Sequence, residues 1–476
     1  MKFISLILAA AMLFTLAGCT KAPAPPATEP DVTTAEATAE ASTEATTEEE
    51  ATATTEAETE EVTTDATTTE ATTEATAAEA ATEATTTTAE ATTTAVTTTK
   101  VTTEKATATE ATATEKEEEK PTEYVYIVYS SEGSDSGKGT VKSPYKTAEQ
   151  ARAHKLESHQ IGVVVEYYMT VNCKIKDTSK VEGLDGVDAT LTEFSGKSEG
   201  LFNGSTAYNG SLITKTEDGK TFYSARYTLT GRDANGNNGK MFIEDNGYDP
   251  EALTPFVVSE GGNIGSWGSQ SLRSVYTETE DGFKIDLFKL YKDDGRKTKT
   301  PKDPDDTGSY TYVVYSPKTG KATADGSQYN PVETKKQAEK LAKNKSGNIQ
   351  ILEFIMAVDV ITQGGTGVGG INPIPFQCES YGEYFNGKSK VIGCDTQKWG
   401  YNATPFSARY MLEGKDFKGE ECSIYIENSG SALEKCVPYI TTDSKALNDL
   451  IDGRTLRTIV VPGGRGVTVW VYAIDK

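Results

Sequence analysis

One segment of this chain occurs twice. Ser224-Ala-Arg-Tyr-Thr-Leu-Thr-Gly-Arg-Asp and Ser407-Ala-Arg-Tyr-Met-Leu-Glu-Gly-Lys-Asp are separated by a constant offset of 183 positions. The same offset carries Phe202-Asn-Gly204 onto Phe385-Asn-Gly387 and Pro255-Phe256 onto Pro438-Tyr439. Solenoid repeats recur every ~20–50 residues, so a period this long means two whole domains.

Each copy reads as a β-hairpin. In the first arm Ala225, Tyr227 and Leu229 alternate with Ser224, Arg226 and Thr228, the period of a half-buried strand. Asp233-Ala-Asn-Gly236 and Asp416-Phe-Lys-Gly419 then supply an Asp to start a turn and a Gly to close it. A turn flanked by residues 233 and 237 sets Arg226 opposite Glu244, and in the second copy Arg409 opposite Glu427.

The motif Ser-Ala-Arg-Tyr-x-Leu-x-Gly-x-Asp-x-x-Gly, followed by Ile424-Tyr-Ile-Glu-Asn428 and Thr441-Thr-Asp-Ser-Lys-Ala-Leu447, resembles the uncharacterised bacterial family catalogued as domain of unknown function 3237. Ile374-Pro-Phe376 and Cys394-Asp-Thr-Gln397 strengthen the likeness, which covers roughly residues 352–475 and, in a more divergent copy, 163–291. The resemblance implies a small closed antiparallel β-barrel and names no activity.

Charge is unevenly spread. Of the net −24, residues 20–122 carry −19 (24 acidic, 5 basic) and Lys2 adds +1, which leaves −6 for residues 123–476. An acidic tail on nearly neutral domains is repelled by phosphate backbones, so no nucleic-acid partner is expected. Residues 1–19 read as a lipoprotein signal peptide: Lys2, an apolar run from Phe3 to Phe14, then Leu16-Ala-Gly-Cys19, with Cys19 the residue to be lipidated. The run is too short to span a bilayer. The expectation is export, with the lipid on Cys19 anchoring the protein to the bacterial membrane and its domains facing outside.

Residues 20–122 are almost wholly Thr, Ala and Glu, with no aromatic residue. Such a stretch buries too little to offset its chain entropy, so a long disordered N-terminal stalk is expected. The fold expected beyond it is mainly β: two tandem small antiparallel β-barrel modules, each preceded by a strand and a short helix. Module one spans 123–292, a linker 293–308, and module two 309–476. The first strand is expected over Tyr124–Ser130 and its helix over Pro144–Leu156; Tyr310–Ser316 and Pro331–Lys343 repeat the plan. Gly133-Ser-Asp-Ser-Gly137 with Ser143-Pro-Tyr-Lys-Thr147 also resembles the N-terminal cap of a right-handed β-helix, but no rung-like coils follow.

Five cysteines follow Cys19, four of them (Cys378, Cys394, Cys422, Cys436) in module two. Export permits disulfides, and the odd Cys173 argues against a complete framework. The two histidines, His154 and His159, are expected in one surface helix. Asp233-x-Asn235-x-Asn237 with Glu244 superficially fits a calcium loop, but Asn238 stands where Gly is needed and Lys418 and Glu420 replace ligands in the other copy. Gly365-Thr-Gly-Val-Gly-Gly370 is followed by Ile371-Asn-Pro, so no helix opens to receive a pyrophosphate. Neither a metal nor a cofactor is expected.

Two sets of residues remain as ligand-binding candidates. Arg226, Glu244, Arg409 and Glu427 are either cross-strand pairs on an outer face or, if turned inward, a charged site in a lumen. Trp267 and Trp399 sit in glycine-flanked loops, either exposed for stacking on sugars or partner proteins or folded over the barrel mouths. The reading that follows is non-catalytic binding of extracellular carbohydrate or protein. The alternative is an enzyme acting on a small molecule at a lumen site around Arg409 and Glu427.

Overall fold

The computed structural model describes residues 122–296, 304, 306, 308–401 and 404–474. The expected signal peptide, Cys19 and all but the last residue of the expected stalk lie outside them.

The first module runs β1 Glu123–Ser134, α1 Ala148–Arg152, β2 Gln160–Glu182, β3 Val187–Gly200, β4 Phe202–Thr206, β5 Gly210–Glu217, β6 Lys220–Asp233, β7 Asn238–Gly247, β8 Thr254–Glu260, β9 Leu272–Thr279 and β10 Gly282–Leu290. The second runs β11 Thr311–Tyr315, α2 Lys335–Ala342, β12 Ile349–Thr362, β13 Ile371–Gly382, β14 Phe385–Lys388, β15 Gly393–Lys398, β16 Phe406–Asp416, β17 Glu421–Gly430, β18 Val437–Thr442, α3 Lys445–Ile451, β19 Thr455–Pro462 and β20 Gly466–Ile474. Strand order is the same in both: β8-β7-β6-β4-β3-β2-β10-β9 and β18-β17-β16-β14-β13-β12-β20-β19, with β5 and β15 bridging the corresponding neighbours. Bridges Leu253 to Ser274 and Cys436 to Thr458 bring the two ends of each sheet together and close the barrels. Both modules belong to one compact unit, Glu118–Lys476.

Each barrel is preceded by a strand running parallel to its first stave, β1 on β2 and β11 on β12. A parallel pair needs a crossover, and the short helices lie in it. Thr147 with Gln150, and Thr334 with Gln337, form capping boxes that start them. The first helix is shorter than expected because Tyr145 bridges to Tyr129 and Ser134, which holds the chain extended up to its cap. The helix also stops at Arg152, capped by Ala153, so the histidines follow it and do not lie on it. Tyr145 and His154 Nδ1 share a hydrogen bond at 2.9 Å, and His159 stands beside Glu123 and Glu157.

The hairpin register is as the alternation requires: Arg226 pairs with Glu244 and Arg409 with Glu427. Asp233 Oδ1 accepts from the amides of Asn235 and Asn237, both at 2.9 Å, and Asp416 Oδ1 accepts from those of Lys418 and Glu420. These aspartates build turns, which Gly236 and Gly419 close at φ 82° and 88°.

Alternate side chains fill the lumens. Tyr168, Phe194, Phe202, Tyr227, Ile243 and Phe283 lead the first core; Met356, Phe376, Phe385, Tyr410, Ile426 and Val471 lead the second. In both, a phenylalanine ring lies over a glycine on the next strand, Phe194 on Gly210 and Phe376 on Gly393. A Cβ at either glycine would stand within 2.5 or 2.7 Å of the ring. All five described cysteines are buried.

Candidate functional site

Along β6 and β16, Ala225, Tyr227 and Leu229, or Tyr410 and Leu412, enter the cores, so the intervening arginines must leave the barrel on its other face. That face does not meet water. Arg226 is 2 % exposed and Arg409 6 %, because the outer wall of each barrel is packed against the other.

The contact is reciprocal. Arg226 Nε donates to Glu244 Oε1 at 3.0 Å, and its two terminal nitrogens reach across to Ser407, to the carbonyl at 2.9 Å and to Oγ at 3.0 Å. Arg409 Nε donates to Glu427 Oε1 at 2.8 Å, and Nη1 reaches back to Ser224 Oγ at 2.5 Å. Lys215 of the first barrel pairs with Glu427 of the second at 2.6 Å, while Lys398 of the second pairs with Glu244 of the first. Ser224 and Ser407, and Lys215 and Lys398, are related by the offset of 183 that relates the arginines. Each lysine also lies over the aromatic ring of the neighbouring barrel's β8 or β18, Lys398 at 5.9 Å from Phe256 and Lys215 at 5.6 Å from Tyr439. The charged and serine contacts at the centre of the seam thus occur twice, the signature of an isologous interface formed here within one chain.

Burial alone would raise the carboxyl of Glu427, but Arg409, Lys215 and Arg226 outweigh it and leave its pKa at about 2. Glu244 is held further down against the same burial by Arg226, Lys398 and Arg409. Burial pushes the Lys398 ammonium the other way, below its usual range. Both glutamates are therefore ionised, with Oε1 of each committed to the arginine of its own barrel and Oε2 to the lysine across the seam.

Apolar clusters seal the seam on both sides. Val181, Leu191 and Ile213 meet Val391, Met411 and Tyr425, while Phe242 and Val258 meet Val368 and Ile371. The tip between β2 and β3 adds contacts with no counterpart: Asp185 accepts from Tyr439 Oη at 2.9 Å and Thr441 Oγ1 at 2.6 Å. The glycine-rich loop 365–370 also serves the seam, its Gly369 amide donating to Glu260 of the first barrel.

This geometry corrects the inward reading. Arg409 and Glu427 do not line a lumen, because the parity that buries Tyr410 points them into the contact between barrels. Trp267 is corrected too. It is 6 % exposed, lies 4.3 Å from the Tyr168 ring, and belongs to the first core, where a short 3₁₀ turn folds it over the end of the barrel. Trp399 is 40 % exposed, packs edge-on against Phe406 at 5.2 Å, and has Tyr401, also exposed, two residues away.

The residues sequence reasoning missed are Lys215, Lys398, Ser224 and Ser407. A signal existed. The two serines open the repeated motif and the two lysines keep the offset in strands that otherwise diverge, so their recurrence marked them as partners of the charged pairs.

No family model matches this chain, and no curated protein matches it. Among solved structures it is similar to a protein with unknown function from Clostridium acetobutylicum ATCC 824, at 17 % identity and a TM-score of 0.23, over 26 % of this chain and 98 % of that one. It is also similar to a conserved protein of unknown function from Rhodopseudomonas palustris, at 12 % identity and a TM-score of 0.22, over 27 % of this chain and 97 % of that one.

Proposed function

We propose that this is an exported, lipid-anchored protein whose paired barrels bind extracellular material, carbohydrate or a surface protein, without chemistry of their own. The lipobox ending at Cys19 and the Thr/Ala/Glu-rich stretch behind it support display on a stalk at the membrane. The motif residues shared by the two copies support membership of the uncharacterised barrel family that they resemble.

One observation carries the binding reading. The recurring charged residues are used up in holding the barrels together, which leaves the exposed aromatic edge of Trp399 and Tyr401 as the best surface for a ligand. Exposed indole and phenol rings stack on sugar rings and on partner side chains at low entropic cost. A glycan array probed with the whole chain tests this reading. Binding to a defined set of glycans, weakened at least tenfold by Trp399→Ala, is expected; binding unaffected by that substitution, or none to any glycan, contradicts carbohydrate as the ligand.

A further inference from the structure

The two barrels share a topology, but their lumens end differently. In the first, Tyr223, Tyr276, Phe283 and Phe194 stack in sequence, at 5.3, 5.1 and 4.9 Å between rings, and plug one end. At the corresponding positions the second barrel has Phe406, Val460, Val467 and Phe376. Two aromatic rings of the plug are thus replaced by valines, and Phe406 packs against Trp399. The consequence shows in exposure. Ala225, Val257, Leu272 and Phe283 are buried in the first barrel, whereas their equivalents Ala408, Ile440, Leu456 and Val467 are partly exposed. All four pack against the second core from the end where the two plug rings are missing, and there they keep part of their surface exposed.

The polar groups at that end differ as well. Asp395 pairs with Ile374 on one side and Ala408 on the other, on the inward face, where the first barrel has Leu212. Its Oδ2 accepts from Gln397 Nε2 at 3.2 Å and the Ser407 amide lies close to the carboxylate, while the buried Oδ1 makes no hydrogen bond of good geometry. Across Ala408 stands Asn428, whose Oδ1 accepts from Thr458 Oγ1 at 2.7 Å. In the first barrel the residue equivalent to Asn428 is Asp245, and it accepts from Tyr227 Oη at 3.0 Å. The second barrel keeps the tyrosine as Tyr410, 1 % exposed, but its hydroxyl has no partner. A buried acceptor and a buried donor left unpaired in one lumen are costly unless something else satisfies them.

We propose that the open end of the second barrel is a binding site for a neutral, hydroxyl-bearing ring such as a single sugar residue, with Asp395 accepting from it, Tyr410 donating to it, and Trp399 and Phe406 at the rim. Asp395 and Asn428 lie two strand spacings apart, ~10 Å, which suits a six-membered ring with hydroxyls on both sides. Ala408, Ile440, Val460 and Val467 form the apolar wall against its C–H face. Gln397 steadies the rim: its Oε1 accepts from Asn372 Nδ2 and Trp399 Nε1, both at 3.4 Å. This inference rests on the carbohydrate-binding reading and assigns it a place and a ligand size.

Saturation-transfer NMR on the whole chain, with glucose, galactose, mannose and N-acetylglucosamine as probes, tests it. At least one sugar is expected to receive saturation from the wild-type protein. Transplanting the first barrel's plug, as Val460→Tyr with Val467→Phe, is expected to abolish that transfer without lowering Tm. Tyr410→Phe, which keeps the ring, is expected to weaken the same sugar at least fivefold and keeps the test decisive if the plugged variant folds poorly. Undiminished transfer in both variants overturns the lumen site; if Trp399→Ala nonetheless weakens glycan binding, the surface reading stands without it. No transfer to any of the four sugars overturns the lumen site, and the glycan array then decides the surface reading separately.

Discussion

Lys215 in the first barrel and Glu427 in the second meet at 2.6 Å, and 183 positions further on Lys398 meets Glu244 in the opposite sense. The duplication thus did more than lengthen the chain: each copy supplies half of a seam that neither could complete alone. Buried ion pairs are weak as sources of net stability, but once present their removal one partner at a time is severe.

Glu427→Gln leaves Arg409 and Lys215 facing each other without an anion. A loss of about 3–5 kcal/mol is expected, read as a lowered urea midpoint. Ser407→Ala, which removes one acceptor from Arg226, is expected to cost less, about 1–3 kcal/mol.

The depressed glutamates set a pH dependence of one sign. A carboxylate whose folded pKa lies below its ordinary 4.5 stabilises the fold above that value and loses the contribution as pH falls toward about 2, the folded value for Glu427. Tm measured against pH is expected to fall steadily from about pH 4.5 downward, and Glu427→Gln is expected to flatten that limb.

Asp245 carries the opposite sign. Burial in the first lumen raises its pKa to about 6, with Ser274 and Tyr227 opposing only in part. Its penalty is absent below the ordinary 3.8, grows as pH rises, and is complete above about 6. The second barrel has Asn428 at this position and avoids the penalty. Asp245→Asn is therefore expected to stabilise the protein by about 2–3 kcal/mol at pH 7.5 and to have little effect at pH 3.5, checked by urea denaturation at the two pH values.

The two loop tryptophans separate cleanly. Trp267→Ala opens a cavity in the first core and is expected to cost about 3–5 kcal/mol. Trp399→Ala is expected to change stability by no more than about 0.5 kcal/mol while weakening glycan binding. Thermal melts of both variants beside the array check the contrast.

Much of the fold was legible because a β-hairpin writes itself twice over in sequence: the alternation around Tyr227 and Tyr410 separates the two faces, and the Asp-to-Gly turns set the register. The same alternation puts Arg226 and Arg409 on the face opposite those tyrosines but does not by itself say which face turns inward. What covers that face was not legible, since packing between distant segments leaves no local period. Trp267 shows the limit from another side, because flanking glycines signal a turn but not the direction in which the turn folds. The open end of the second barrel was hidden for a different reason: Val460 and Val467 read as ordinary strand residues until set beside Tyr276 and Phe283.

Through the reciprocal seam the two barrels form one cooperative body. Hydrogen–deuterium exchange of the whole chain, comparing wild type with Glu427→Gln, puts this to the test. β6 and β7 of the first barrel are expected to lose protection together with β16 and β17 of the second, to the same extent. Loss confined to β16 and β17, with the first barrel unchanged, would contradict it.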